Sequence, residues 1–317
     1  MDSFLVTGAT GVIGRALVFR LLKDGHKVFC PVRNIAKAAR IFGNLGNDLL
    51  ILTQVDLQKE LPEIKDQYDY IVHCASPTAS RYFVENPVET IEFGLDTTIA
   101  LLKYSSRINI KSFVYLSSLE VYGTINEDDM RITEDYQGYV NPLEVRSSYN
   151  MVKRMCESLC HAYAKEYDVP VKIARLTQVI PSATDESDMR VFAQFARAAV
   201  QGKDIELHTE GTSARPYVQI KDVVAAILTI LYNGKAGEAY NVCNEETYIS
   251  AREMAEFVQS NFNPQGRVVM NLRCDMGYAP PTKINLDASK LRSLGWTPKC
   301  GLYEMYDSLI RNLKDNK

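Results

Sequence analysis

The sequence has no apolar run long enough to cross a membrane, no basic stripe and no secretion signal. None of its hydrophobic stretches approaches the about 18 apolar residues of a spanning helix. Its 36 Lys and Arg and 39 Asp and Glu give a net charge of -3. Positive and negative charges are interspersed along the sequence, so it lacks the clustered basic residues of a nucleic-acid-binding protein. We therefore expect a cytoplasmic protein that binds neither nucleic acid nor membranes.

Cysteine and histidine are also sparse. The 7 cysteines include no Cys-x-x-Cys pair, and the 4 histidines lie far apart in the sequence. Neither pattern has the ligand spacing of a metal site, so we expect reduced thiols in a reducing compartment and no bound metal. With 317 residues and 46% hydrophobic content, the chain can bury a large core in one or two domains.

A glycine-rich turn follows the first apolar run, Phe4 to Val6. The three glycines of Thr7-Gly-Ala-Thr-Gly-Val-Ile-Gly14 are expected to make a tight turn, to let backbone approach a pyrophosphate, and to let a helix pack closely on the strand. The phosphates then meet free N–H groups at the start of that helix. The predicted cofactor-binding residues of this turn are Gly8, Thr10, Gly11, Val12, Ile13 and Gly14.

Near-continuous apolar strands alternate with helical patterns along most of the chain, which is typical of a parallel sheet covered on both faces. The sequence therefore predicts an α/β protein with a Rossmann-type doubly wound parallel sheet and a smaller C-terminal substrate-binding domain. We expect residues 1–177 to form the dinucleotide-binding domain, with 216–245 returning to it. Residues 178–215 and 246–317 are expected to form the substrate domain.

Tyr149 and Lys153 are four residues apart on a predicted helix, so their side chains lie on the same face. The ammonium group is expected to lower the pKa of the phenol and make it a usable acid or base. Ser118 is the last residue of the fifth predicted strand and can hydrogen-bond the same substrate oxygen. Together with a dinucleotide site, these residues indicate hydride chemistry at a carbinol or carbonyl carbon.

Four motifs in this order resemble the extended short-chain dehydrogenases/reductases that act on nucleotide sugars, an epimerase/dehydratase family. The sequence looks like UDP-glucuronate decarboxylases and UDP-glucose 4-epimerases in particular. The motifs are Thr7-Gly-Ala-Thr-Gly-Val-Ile-Gly14, Ser117-Ser-Leu-Glu-Val-Tyr-Gly123, Tyr149-Asn-Met-Val-Lys153, and Arg215-Pro-Tyr217 ahead of Asp222. The resemblance implies that Ser118, Tyr149 and Lys153 are catalytic, and that a homodimer forms through a four-helix interface.

The resemblance also implies the remaining ligand contacts. Asp56 is expected to contact the adenine, and the arginines at 190 and 215 to hold the nucleotide and its diphosphate. The further cofactor-binding residues are expected to be Arg33, Asp56, Leu57, Cys74, Ala75, Ser76, Tyr149 and Lys153. The substrate-binding residues are expected to be Thr78, Gln178, Arg190, Val191, His208 and Arg215.

Residues near Ser118 bear on the reaction. Related dehydratases carry Asp and then Glu after the catalytic hydroxyl, whereas this sequence has Leu119 and Glu120. Leucine cannot donate a proton, so dehydration is disfavoured. Glu120 matches the decarboxylases and is counted among the catalytic residues, but Thr282 stands where their carboxylate-binding arginine is expected.

The second predicted strand ends at Val32-Arg33 without the acidic residue that binds the ribose of NAD. Arg33 is placed to meet a 2′-phosphate, as in the NADPH-dependent dihydroflavonol and cinnamoyl reductases, so NADP(H) is preferred and NAD(H) is possible. The leading hypothesis is an NADPH-dependent oxidoreductase that reduces a keto-sugar nucleotide for surface-polysaccharide biosynthesis. The alternatives are an epimerase that retains its NAD(P), a UDP-glucuronate decarboxylase-like enzyme, and a non-enzymatic dinucleotide sensor.

Overall fold

The computed structural model describes residues 1–43, 48–57, 59, 68–125, 130–184, 186, 188–273 and 281–315. The strands are β1 (Ser3–Thr7), β2 (Lys27–Val32), β3 (Leu50–Gln54), β4 (Tyr70–His73), β5 (Ser112–Ser118), β6 (Arg131–Ile132), β7 (Val171–Leu176), β8 (Gln178–Ile180), β9 (Ile205–Leu207), β10 (Ala214–Gln219), β11 (Ala239–Val242), β12 (Asn244–Ser250), β13 (Val268–Met270) and β14 (Asn285–Leu286). The helices are α1 (Val12–Lys23), α2 (Ile35–Phe42), α3 (Ser80–Glu85), α4 (Pro87–Ser105), α5 (Ser147–Glu166), α6 (Val191–Gln201), α7 (Ile220–Asn233), α8 (Ala251–Phe262), α9 (Ser289–Arg292) and α10 (Leu302–Asp315). A 3₁₀ turn, Leu119–Tyr122, follows β5 directly.

Seven strands form one parallel sheet in the order β11-β7-β5-β4-β1-β2-β3. The order reverses at β1, whose neighbours are β4 and β2, and this reversal defines the crevice where open α/β sheets bind ligands. The structure therefore confirms the predicted Rossmann-type α/β fold. It also brings the turn after β1 beside the carboxyl end of β4.

Both faces of this sheet are buried because its strands present apolar side chains alternately to each side. Val114 packs in a cluster with Leu17 of α1 and Ile227 of α7. The neighbouring Phe113 packs on the opposite face, in a cluster with Leu101 of α4 and residues of α5. Helices α4 and α5 lie side by side on that second face.

A third hydrophobic cluster contains side chains of α6, α8 and α10, among them Phe192, Met254 and Leu309. Tyr217 of β10 packs in this cluster as well, although the sequence analysis assigned it to the segment returning to the first domain. The three-stranded sheet β12-β10-β8 carries Tyr217 between its outer strands. The predicted domain boundaries stay a prediction.

Several short elements were not predicted from the sequence. Helices α2 and α3 have 8 and 6 residues, too short for a periodic apolar pattern to stand out. Strand β10 contains Pro216 and a register shift between Arg215 and Tyr217, and proline in an apolar run argues against a strand. The longer elements match the predicted ones to within a few residues at each end.

The sequence predicts no membrane span, no metal site and reduced cysteines, and the structure bears on this prediction over the residues that it describes. No helix there is long and apolar enough to cross a membrane. The same residues contain no group of three or more side chains suited to hold a metal ion. Cysteines 30, 74, 156, 160, 243 and 300 are free thiols, while Cys274 lies outside the described residues.

Lys172 is a buried cation near the amino-terminal end of β7. Its side chain is 5% exposed, and Nζ donates to Ser112 Oγ at 2.6 Å. Burial lowers the pKa of Lys172 to about 8 from its ordinary value of 10.5. The folded protein therefore releases this proton at a lower pH than the unfolded chain does.

Replacing Lys172 by methionine is expected to raise the free energy of unfolding by about 2 kcal/mol at pH 7, because it removes the cost of burying a charge. The advantage of the variant should shrink as the pH rises from about 8 to 10.5, where the unfolded wild-type chain still binds a proton that the folded one has lost. Urea unfolding at pH 7 and at pH 9.5 measures both effects. Lys103→Met, on the exposed side of α4, is the control, and a K172M protein less stable than wild type at pH 7 contradicts the prediction.

Candidate active site

The turn after β1 is shaped by glycines that a larger residue could not replace. Gly8 has a φ of +67°, and a β-carbon there would lie 2.7 Å from the backbone of Cys74 and Ala75. A β-carbon at Gly14 would run into the Gly8 carbonyl oxygen. Gly8 thus allows the turn and its approach to β4, and Gly14 allows α1 to pack on that turn.

The same turn leaves a cradle that fits a dinucleotide. Gly11 caps α1 without a side chain, and its own backbone N–H donates to Gly8 O at 3.0 Å. The first bond of the helix runs from Arg15 N to Gly11 O at 2.9 Å, so the N–H groups of Val12 and Ile13 precede it. Gly11 and Val12 are exposed. Free N–H groups at the positive end of a helix suit a pyrophosphate.

The predicted contacts for the adenosine end follow β2 and β3. Arg33 is exposed directly after β2, and Asn34 caps α2 by accepting a hydrogen bond from Lys37 N at 2.8 Å. Asp56 is half-buried after β3, whereas the Leu57 side chain is buried. The sheet order places β2 next to β1 and β3 next to β2, so the carboxyl ends of the three strands lie along one edge of the sheet.

The predicted contacts for the nicotinamide end follow β4. Cys74, Ala75 and Ser76 are half-buried, and Thr78 is exposed. The backbone N–H of Ala75 donates to Thr7 Oγ1 at 3.3 Å. This links the segment after β4 to the last residue of β1.

Three of the four predicted catalytic residues, Ser118, Tyr149 and Lys153, lie together at the carboxyl end of β5. Ser118 ends that strand, and its side chain lies close enough to the Tyr149 hydroxyl to lower the pKa of that phenol. Lys153 is 4% exposed. Its Nζ donates to Leu116 O at 2.8 Å and lies 5.7 Å from the centroid of the Tyr149 ring.

The expected effect of Lys153 on the phenol was wrong. Burial raises the pKa of Tyr149 well above its ordinary value, and the nearby charge of Glu120 raises it further. The hydrogen bond with Ser118 and the charge of Arg146 act in the opposite direction without reversing the shift. Burial also lowers the pKa of Lys153 to about 8. Tyr149 is therefore held as a protonated phenol, which suits a proton donor.

Leu119 and Glu120, the two residues after Ser118, both contact other parts of the protein. The Leu119 side chain packs in the hydrophobic cluster with α1 and α7. Both carboxylate oxygens of Glu120 accept hydrogen bonds from Arg146, at 2.8 and 2.9 Å. The position after Ser118 therefore supplies no proton donor, and Glu120 is paired.

The predicted substrate-binding arginines both have partners. The Arg190 guanidinium donates to Asp188 at 2.6 and 2.9 Å and lies 4.7 Å from the centroid of the Phe192 ring. Arg215 Nη2 donates to Thr282 Oγ1 at 3.4 Å. The position expected for a decarboxylase arginine is thus in contact with Arg215.

The remaining predicted substrate residues come from neighbouring elements. Gln178 begins β8, which pairs with β10 so that Gln178 lies opposite Tyr217. Val191 begins α6. His208 follows β9, and its Nδ1 donates to Asn271 O at 3.2 Å. A substrate contact for each of these residues stays a prediction.

Sequence reasoning missed a residue that touches Tyr149. Phe83 of α3 stacks on the Tyr149 ring, with centroids 4.1 Å apart and an interplanar angle of 12°. Its side chain is 2% exposed. No sequence signal pairs residue 83 with residue 149, because the contact depends on where the short helix α3 packs.

Comparisons with known proteins agree with this geometry. The family model described as "NAD dependent epimerase/dehydratase family" matches residues 4–243. UDP-glucuronic acid decarboxylase 1 of Danio rerio is 27% identical over 315 residues, which cover 97% of this chain and 71% of that protein. UDP-glucuronic acid decarboxylase 6 of Arabidopsis thaliana is 28% identical over 303 residues, 95% of this chain and 85% of that protein.

Solved structures share the fold over essentially the whole chain. UDP-glucose 4-epimerase of Thermotoga maritima with UDP-glucose has a TM-score of 0.81 at 20% identity, covering 99% of both chains. RMD of Pseudomonas aeruginosa complexed with NADPH also has a TM-score of 0.81, at 21% identity and with 100% of both chains covered.

Proposed function

This chain belongs to the NAD dependent epimerase/dehydratase family of nucleotide-sugar enzymes, and from that premise we propose that it reduces the keto group of a nucleotide-linked sugar with NADPH. The observation that carries the choice of cofactor is the exposed Arg33 directly after β2. An arginine fork matches the oxygens of a 2′-phosphate, whereas NAD binding calls for an acidic residue at that place. Lys37, in the first turn of α2, adds a second positive charge nearby.

The catalytic residues support a proton donation to the substrate oxygen. NADPH, when bound, supplies the hydride. Tyr149 gives its hydroxyl proton to the carbonyl oxygen, and the high pKa of this buried phenol keeps the proton in place until that step. Ser118, next to Tyr149, orients the same oxygen. Lys153 holds the ribose next to the nicotinamide and provides positive charge under the phenol.

An assay with several substrates tests the proposed reaction. The purified protein is offered UDP-, dTDP-, GDP- and CDP-linked keto sugars, and NADPH consumption and products are followed. Reduction with NADPH supports the proposal. Interconversion of sugar epimers, with cofactor carried through purification and seen by absorbance and mass spectrometry, contradicts it and favours an epimerase. Release of CO₂ from UDP-glucuronate favours the reaction of the curated relatives, whose names describe decarboxylases.

Arg33→Ala is expected to weaken NADPH binding by about 10- to 100-fold, because a charge-assisted phosphate–arginine pair is lost. NADH binding should change by less than about threefold, since NADH has no 2′-phosphate. Fluorescence titration with both cofactors measures the two affinities. Arg40→Ala, at the exposed end of α2, is the control. Equal weakening of both cofactors by R33A contradicts the assignment of Arg33.

We also propose that the protein is a homodimer through α4 and α5. Their outer faces expose large apolar side chains, which is the signature of a contact surface. The exposed residues on this surface are Val88, Ile91, Met151 and Met155. A second copy of the chain, presenting the same two helices, covers this surface in a symmetric contact.

A further inference from the structure

Glu120 is fixed by its side chain and by its backbone. The Arg146 guanidinium takes both carboxylate oxygens in a bidentate pair. Asn150 Nδ2 donates to the Glu120 carbonyl oxygen at 2.8 Å, and the Glu120 N–H donates to Ser118 Oγ at 3.3 Å. Every polar group of Glu120 therefore has a partner in the protein.

Two of the residues that hold Glu120 belong to a polar stripe at the start of α5, next to the catalytic pair. Arg146, Asn150 and Arg154 are spaced four residues apart, so they share one side of the helix. Arg154 Nε donates to Val121 O at 2.7 Å. From the other side of the 3₁₀ turn, Arg175 Nη1 donates to the Tyr122 hydroxyl at 3.0 Å. The turn that begins after Ser118 is thus held by α5 at Glu120 and Val121, and by β7 at Tyr122.

This ion pair lies beside Tyr149 and is only partly exposed. The side chains of Arg146 and Glu120 are 29% and 25% exposed. The Arg146 guanidinium lies 5.8 Å from the centroid of the Phe83 ring, which stacks on Tyr149. The charge of Glu120 raises the pKa of Tyr149, and the charge of Arg146 lowers it.

The other polar groups beside Tyr149 belong to two elements. They are Ser118 and Tyr115 of β5 and Lys153 of α5. From α3 the apolar Phe83 contacts the ring, while the charged pair of that helix, Arg81 and Glu85, is 87% and 51% exposed. Lys153 is buried, so the Arg146–Glu120 pair provides the carboxylate whose charge acts on the phenol, together with its counter-charge.

We propose that Arg146 is a positioning residue that holds and neutralises the Glu120 carboxylate, and that Glu120 exchanges no proton with the substrate. The proposal rests on the proposed function of Tyr149 as the proton donor. A proton on either Glu120 oxygen breaks one of two charge-assisted hydrogen bonds, so the pair disfavours acid–base work by Glu120. When Tyr149 gives up its proton, an uncompensated carboxylate next to it opposes the phenolate that forms, and Arg146 removes that opposition.

A double-mutant cycle tests this role in NADPH-dependent turnover of the keto-sugar nucleotide that the wild-type protein reduces fastest. Arg146→Gln leaves Glu120 uncompensated and is expected to lower kcat by about 10- to 100-fold, with KM changed by less than about threefold. Glu120→Gln is expected to lower kcat by only about 3- to 10-fold. The double variant should be faster than R146Q, because it removes the charge that R146Q leaves unpaired. The alkaline limb of the pH profile should lie at lower pH in E120Q than in wild type.

Controls and contrary outcomes are separate for this inference and for the proposed function. The exposed i,i+4 pair Arg81 and Glu85, replaced in the same way, should show no coupling in kcat. A loss of about 100-fold or more in E120Q, not relieved in the double variant, overturns the inference and makes Glu120 a proton-transfer group. Thermal melts establish folding, and if R146Q does not fold, the kcat of E120Q alone decides. Full activity in Tyr149→Phe overturns the proposed function instead.

Discussion

Tyr149→Phe is expected to lower kcat for keto-sugar reduction by about 1,000-fold, within the range that a positioned general acid contributes. The substitution removes one oxygen and keeps the ring that stacks on Phe83 at 4.1 Å, so the fold around α3 and α5 should survive. Ser118 loses the neighbouring phenol oxygen but can still donate to the substrate oxygen. NADPH affinity should change by less than about threefold, because the cradle after β1 is untouched.

Steady-state kinetics and a cofactor titration measure these two quantities on the same preparation. Tyr167→Phe, at the exposed end of α5, controls for the loss of a tyrosine hydroxyl elsewhere on the helix. A Y149F protein that keeps more than a tenth of wild-type activity contradicts the role of Tyr149. If every activity of the protein also survived, the non-enzymatic dinucleotide sensor would become the better hypothesis.

The placement of the site was predictable from the sequence because it depends on local chemistry. The turn after β1 needs glycine for a positive φ and for close backbone contacts, and these demands are visible in Gly8 and Gly14 themselves. The spacing of Tyr149 and Lys153 on a long helix likewise fixes their common face. Long apolar strands then place the carboxyl ends of β1, β4 and β5 at one edge.

The electrostatics of the site was not predictable, because burial is a tertiary property. From the sequence, the neighbouring Lys153 alone predicts a lowered pKa for Tyr149. In the structure, burial under Phe83 and the charge of Glu120 outweigh that neighbour. Both come from segments distant in sequence, a 6-residue helix and a 3₁₀ turn, neither of which has a pattern that predicts where it packs.

The ion pair between Arg146 and Glu120 was predictable from the sequence only in part. The spacing of Arg146, Asn150 and Arg154 marks a polar stripe that the sequence shows, and a stripe of this kind is also typical of a solvated helix face. Only the structure shows that the stripe is hydrogen-bonded to the 3₁₀ turn. Its partner groups in that turn are two carbonyl oxygens and one carboxylate, and backbone carbonyls carry no sequence signal at all.

Gly14→Ala is expected to destabilise the protein by about 2 kcal/mol and to weaken NADPH binding by about 100-fold. Two effects oppose each other. Alanine is the better helix former by about 0.5 to 1 kcal/mol. Its β-carbon, however, would overlap the Gly8 carbonyl oxygen and lie 2.9 Å from Ala9 Cα, and overpacking typically costs about 1 to 3 kcal/mol. The obstacle is backbone, which cannot rotate away as a side chain can, so the clash outweighs the gain in propensity.

The clash also decides where the damage falls. Relief requires α1 to move off the turn, and its first N–H groups are the proposed pyrophosphate ligands, so cofactor affinity should fall with stability. Urea unfolding and NADPH titration measure the two losses. The control is Gly43→Ala at the end of α2, where a β-carbon meets none of the described atoms within 4 Å, and neither quantity should fall there. A G14A protein with wild-type stability and wild-type NADPH affinity would show that α1 does not depend on this close approach and that the pyrophosphate binds elsewhere.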